Sequence, residues 1–265
     1  RGAPLFRSSL DEVAYGTWRV DNPTPADLWR YLDEVGVDSI TAPHHPSVAL
    51  FPVDPGDHYN EKYDRLIEIY SSWGSSEAGS RPTFDDISLV ADRFTDHGVI
   101  DFLEAGHRFG IVASSDAHDG HPGQAQGTDR RPQLYHYLGS GRTVVLAESL
   151  DRNSVFDALK ARRAYATTGE PIELGFAYGD KLMGQHSVRT TEPFRVTVRG
   201  TQLITRVDLI KNGRVLVSES PQNHEFVAEW FDSEASGRAT DYYYVAARQS
   251  DGERAWSSPL WISSG

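Results

Sequence analysis

The stretch Phe109-Gly-Ile-Val-Ala-Ser-Ser-Asp-Ala-His-Asp-Gly-His-Pro-Gly123 joins a short apolar run to a burst of ligand-type side chains: Asp116, His118, Asp119 and His121. Its first half, rich in β-formers, reads as a buried strand. At the end of a strand, residues two apart can turn a carboxylate and an imidazole toward one point, and Asp116 and His118 have that spacing. A hard oxygen beside an imidazole nitrogen suits Zn²⁺, Mn²⁺ or Fe²⁺. The same residues also fit a polar loop in which an Asp caps the next segment and the histidines face solvent, since isolated Asp-x-His is common.

The elements around this stretch decide how far the metal reading goes. Thr24-Pro-Ala-Asp27 is a helix start, with a capping Thr, Pro at the first helical position and an acid in the first turn; the helix is expected to stop near Gly36. Residues 37–42 read as a strand ending in Pro43-His44-His45-Pro46, and 66–70 as a strand carrying Glu68. A helix is expected over 84–97, a helical turn over 100–105, a strand over 142–147 and a helix over 153–163. Alternating helices and apolar strands predict α/β architecture with largely parallel strands. In α/β barrels the carboxyl ends of the strands form the catalytic mouth, and His44, Glu68 and the Asp116/His118 pair all fall at or just past such ends. From Pro171 onward the pattern changes to short alternating runs at 172–178, 194–199, 205–210, 214–218, 225–230, 241–248 and 255–262. Asn212-Gly213 and Asp251-Gly252 are hairpin signals between such runs, so this part reads as a small antiparallel β-sandwich of immunoglobulin-like shape. The expected division is 1–169 and 170–265.

Composition narrows the functional classes. The 265 residues carry a formal net charge of −12, which disfavours a general nucleic-acid-binding surface. An anionic substrate stays compatible, because bound cations reverse the local field. There are no cysteines, so disulfides and thiolate metal sites are excluded. No apolar run approaches the ~20 residues that span a bilayer, so no membrane partner is expected. Neither a Gly-x-Ser-x-Gly elbow nor a P-loop occurs. The chain starts at Arg1, which leads us to expect an upstream segment.

Placed in order, Pro43-His44-His45-Pro46, Glu68-Ile-Tyr-Ser, Gly74-Ser-Ser-Glu77, Ala113-Ser-Ser-Asp116-Ala-His118-Asp-Gly-His121-Pro-Gly123, Ala158-Leu-Lys-Ala-Arg-Arg-Ala-Tyr-Ala-Thr-Thr-Gly169 and the Tyr242-to-Trp261 segment resemble the PHP (polymerase and histidinol phosphatase) superfamily. The match is to a bacterial branch whose barrel is followed by a β-domain. The resemblance implies the second half of a distorted (β/α)₇ barrel, two or three divalent ions (Zn, Mn or Fe) and phosphoester hydrolysis by a metal-bridged hydroxide. It casts His44, Asp116 and His118 as metal ligands and Glu68 as the group orienting a ligand or water. His121 is a candidate proton donor to the leaving oxygen, against a plain loop-capping role. His45 and Glu77 fall near the mouth without an assigned role. The family's opening His-x-His is absent, so the upstream half of the barrel, on the same precursor or a separate chain, is the expected partner, with a small phosphorylated or other ester as substrate. The competing reading is a non-catalytic subunit or binding module that keeps the shape without the chemistry. Trp230, Tyr242, Tyr244, Trp256 and Trp261 are read as core or domain interface, and the remaining histidines as surface residues.

Overall fold

A computed structural model describes residues 24–48, 53–56, 59–71, 74–78, 97–116, 141–232 and 236–264. The helix expected over 84–97 lies outside them except for His97, and His118 and His121 lie outside them altogether.

Helix α1 (Pro25–Val35) forms where its caps dictate. The Thr24 backbone N–H donates to Asp27 Oδ2 at 2.7 Å, the reciprocal capping-box bond is present, and Gly36 closes the helix in the left-handed region at φ 67°. The segment after it is not the expected strand: only Thr41 forms a bridge, parallel to Asp64. Strands β1 (Leu66–Ser71), β2 (Gly74–Ser75) and β3 (Gly110–Ala113) make a three-stranded sheet in the order β2-β1-β3, with β1 and β3 parallel. Helix α2 (Val99–Glu104) precedes β3.

The second sheet has eleven strands: β4 (Arg142–Val145), β5 (Ala164–Thr167), β6 (Glu173–Tyr178), β7 (Lys181–Leu182), β8 (His186–Val188), β9 (Phe194–Lys211), β10 (Arg214–Glu219), β11 (Asn223–Trp230), β12 (Thr240–Gln249), β13 (Arg254–Ser257) and β14 (Leu260–Ser263). Helix α3 (Arg152–Lys160) connects β4 to β5. The long strand β9 is its axis. Residues 194–199 pair with β6 and β11, and 204–211 with β12 and β10.

This arrangement corrects the expected fold class. Strand residues far outnumber helical ones among the described residues, and no half-barrel of alternating β and α units is present among them. The decisive unit is β4-α3-β5. A barrel needs a crossover to a parallel strand, yet β4 and β5 pair antiparallel, and β5 then pairs antiparallel with β13. Hydrophobic periodicity reads helix and strand but carries no strand direction. Through β5 and β4 the large sheet continues across the expected 169/170 boundary.

Two apolar clusters follow. One gathers Leu174, Phe176, Val196, Val198, Leu209, Tyr243 and Val245 inside the curled large sheet. The other joins Ile67, Ile69, Tyr70 and Ile111 of the small sheet to Tyr242, Tyr244, Trp256 and Trp261 of the large one. The five C-terminal aromatics expected as core or interface are all buried. Side-chain bonds lock the two sheets together at β3. Thr143 Oγ1 exchanges bonds with the backbone of Ala113, and Ser258 Oγ accepts from the Ile111 N–H at 2.8 Å. The large sheet therefore fixes the strand that leads to Asp116.

Candidate metal centre

Three of the five residues singled out from the sequence meet at one place. His44 sits in the loop after Thr41, Glu68 lies on β1, and Asp116 follows the carboxyl end of β3. The loop is tied to β1 by the Glu68 N–H donating to the Pro43 carbonyl at 3.1 Å. A register shift between β1 and β3 falls between Glu68 and Tyr70, the kind of irregularity that re-aims a side chain.

His44 Nδ1 lies 2.9 Å from Glu68 Oε1, and His44 Nε2 lies 3.0 Å from Asp116 Oδ1. His45, which the sequence left without a role, joins them with Nε2 3.9 Å from Asp116 Oδ2. Its ring centroid is 3.8 Å from that of His44. Ligand atoms of His44, His45 and Asp116 lie within 4.8 Å of one another. Two of the three occupy left-handed backbone, His45 at φ 31° and Asp116 at φ 53°. Non-glycine residues there cost about 1–3 kcal/mol each, and such strain collects at functional sites.

Glu68 is the hub beneath the cluster and only 5% exposed. Its Oε1 accepts from the His45 backbone N–H at 3.1 Å as well as facing His44, and its Oε2 accepts from the Ser114 hydroxyl. Both oxygens of Glu68 are thus engaged within the cluster. Ser114 is a member that sequence reasoning missed, although Ala113-Ser-Ser-Asp116 contains it. Electrostatics separates the two histidines. Burial disfavours the charged His44 ring, but hydrogen bonds and charge from Asp116 and Glu68 outweigh it and lift the ring to about 9. Burial, then the neighbouring His44 charge, pushes His45 below its ordinary value.

The donor set suits a divalent ion. Imidazole nitrogen and carboxylate oxygen are the ligands of Zn²⁺ and of harder divalent metals, and no thiolate competes. His44 also has the arrangement in which one ring nitrogen faces the site and the other donates to a supporting carboxylate.

Among known proteins, a family described as a protein of unknown function (DUF3604) matches residues 124–201. An uncharacterized protein of Chlamydia pneumoniae is 30% identical over 257 residues, covering 88% of this chain and 39% of its own length. Uncharacterized proteins of Chlamydia trachomatis and Chlamydia muridarum are each 28% identical, over 78% and 88% of this chain and 35% and 40% of their own lengths. The chain thus spans about two fifths of the length of the curated relatives it matches. A solved structure of fibronectin(III)-like modules from Clostridium thermocellum CbhA is 23% identical, covering 35% of this chain and 95% of its own, with a TM-score of 0.23.

Proposed function

We propose that this chain supplies part of a divalent-metal centre in a hydrolase of esters, phosphoesters foremost. The observation that supports this reading is the convergence of His44, His45 and Asp116 within 4.8 Å over a buried, fully hydrogen-bonded Glu68. His44, His45 and Asp116 would hold the ion. Glu68 would fix the His44 ring through Nδ1, and Ser114 would fix Glu68. A bound divalent ion supplies Lewis acidity, neutralising charge on ester oxygens and making water easier to deprotonate. The PHP resemblance enters this proposal for its chemistry, without the barrel. Further ligands would come from His118 and from an upstream segment, and His121 would be a proton donor at the leaving oxygen.

One observation favours a second reading, a non-catalytic module. The His44 imidazole is already bridged by two carboxylates, which makes a self-sufficient ion bridge. Elemental analysis and calorimetric titration of the full-length protein, this chain together with its upstream segment, with Zn²⁺, Mn²⁺ and Fe²⁺ separate the two. Stoichiometric binding that disappears in Asp116→Ala, followed by turnover of p-nitrophenyl phosphates in the metal-loaded protein, supports the hydrolase. A folded wild-type full-length protein that takes up none of these metals leaves only the module.

A further inference from the structure

Glu77 closes the Gly74-Ser-Ser-Glu77 stretch and takes no part in the hydrogen bonds of the His44 cluster. Its carboxyl is instead enclosed at the joint between the two sheets. Oε1 accepts from the Tyr244 hydroxyl at 2.7 Å, and Oε2 accepts from the Trp256 indole N–H at 3.1 Å. Glu77 is 6% exposed, Tyr244 2% and Trp256 1%. Burying a carboxyl is costly unless it is hydrogen-bonded, and both Glu77 oxygens are.

Two routes lead from Glu77 to the metal cluster. The Trp256 ring that holds Oε2 also stacks on Tyr70, with centroids 6.1 Å apart and planes 26° apart. The Tyr70 carbonyl accepts from the Ser114 N–H at 3.1 Å, and the Ser114 hydroxyl donates to Glu68. The second route runs through the neighbouring residue: the Ser76 carbonyl accepts from the Ser47 hydroxyl at 3.3 Å. Ser47 lies in the same short loop as His44 and His45, and it is fully buried.

We propose that Glu77 is a positioning residue for the metal centre, gripping Tyr244 and Trp256 of the large sheet and thereby setting both Glu68 and the His44–His45 loop. The C-terminal strands β12 and β13 are then part of the support of the site. This inference rests on the metal-centre reading above. It also explains why a glutamate, and not an apolar residue, fills this joint. The Trp256 N–H can donate to a carboxyl in either protonation state, while the Tyr244 hydroxyl can donate to a carboxylate or accept from a carboxylic acid. The other titratable or charged groups acting on Glu77 and Tyr244 are Arg254, Asp208 and Tyr242. Burial pushes the Glu77 carboxyl above its ordinary value, so the protonated form persists into a range where a surface glutamate is ionised.

The test follows hydrogen exchange of residues 43–48 in the metal-free protein at one fixed pH, together with Zn²⁺ and Mn²⁺ affinity. Glu77→Ala is expected to raise exchange in 43–48 and weaken metal binding about tenfold, the lower end of the loss seen when outer support of a metal ligand is removed. Glu77→Gln keeps the neutral shape and can still bond both partners, so it should keep wild-type exchange and affinity. Tyr244→Phe, which removes only a hydroxyl, gives a milder loss and serves if Glu77→Ala does not fold. Folded Glu77→Ala and Tyr244→Phe proteins with wild-type exchange and wild-type affinity would overturn the proposal, as would a Glu77→Gln protein that loses as much as Glu77→Ala. Exchange coupled to Glu77 in a wild-type full-length protein that binds no metal would sink the metal-centre reading and leave Glu77 setting the 43–48 loop.

Discussion

His44 Nδ1 lies 2.9 Å from Oε1 of Glu68, a carboxylate 6% exposed beneath a ring that is itself 43% exposed. A half-open imidazole anchored from below by a buried acid has one face fixed and the other turned outward. If the outward Nε2 binds metal, the anchor sets its direction. Glu68→Gln should therefore lower Zn²⁺ or Mn²⁺ affinity by about 10- to 100-fold with stoichiometry unchanged. Calorimetric titration decides the matter. Unchanged affinity would mean that the Glu68 charge does not support the His44 ring.

His45 carries a separate expectation. Its Nε2 stands 3.9 Å from Asp116 Oδ2, outside hydrogen-bond range but inside the span of a shared ion. His45→Ala should weaken metal binding while leaving the His44–Glu68 contact intact. The combined His44→Ala, His45→Ala protein should bind none. Retention of full affinity in His45→Ala would remove it from the ligand set.

Gly141 tests whether the large sheet sets the site. A Cβ there would lie 2.6 Å from Ala113 Cβ, 2.9 Å from the Ser114 carbonyl oxygen and 3.0 Å from Tyr70 Cδ1. Ser114 and Tyr70 are both on the path to Glu68. Gly141→Ala should destabilise the protein by about 1–3 kcal/mol through overpacking, and it should weaken metal binding as well. Denaturant unfolding and metal titration on the same sample measure both. A destabilised variant with native affinity would show that the end of β3 does not govern the cluster.

Acid stability should depend on Asp241. Its Oδ2 accepts from Arg189 Nη2 at 2.7 Å and its Oδ1 from Asn212 Nδ2 at 2.7 Å, with Lys211 Nζ 3.6 Å away. Burial raises the carboxyl, but hydrogen bonds from Ser236 and Asn212 and the charges of Lys211 and Arg189 outweigh it and leave it below its ordinary 3.8. A carboxylate depressed in the fold contributes stability above the unfolded value, and that stability is lost as pH falls through the lowered folded value. Wild type should therefore lose stability as the pH drops below 3.8. Asp241→Asn should be weaker by about 3 kcal/mol near neutrality, with a flatter decline in acid. Urea midpoints across that range provide the measurement, and parallel declines would exclude Asp241 as the responsible group.

Much of the local structure follows from local sequence. The Thr24–Asp27 capping box and Gly36 set the ends of α1 because caps are short-range hydrogen-bond chemistry. Most β runs after Pro171 match observed strands because alternation is a property of neighbouring residues. His44, Glu68 and Asp116 were identifiable as ligand-type residues and they do converge, although no strand among the described residues precedes His44 and Glu68 lies inside β1, not at its end. Strand direction was not legible. β4 and β5 look like the flanks of a barrel crossover but pair antiparallel, and β5 then joins β13, nearly ninety residues away (Ala166 opposite Trp256). Side-chain pattern fixes which face of a strand is buried, while partner and orientation depend on contacts between distant segments. For the same reason only the tertiary structure could show the partners of His45, Ser114 and Glu77. Each acts through a residue remote in sequence: Asp116 for His45, Glu68 for Ser114, Tyr244 and Trp256 for Glu77.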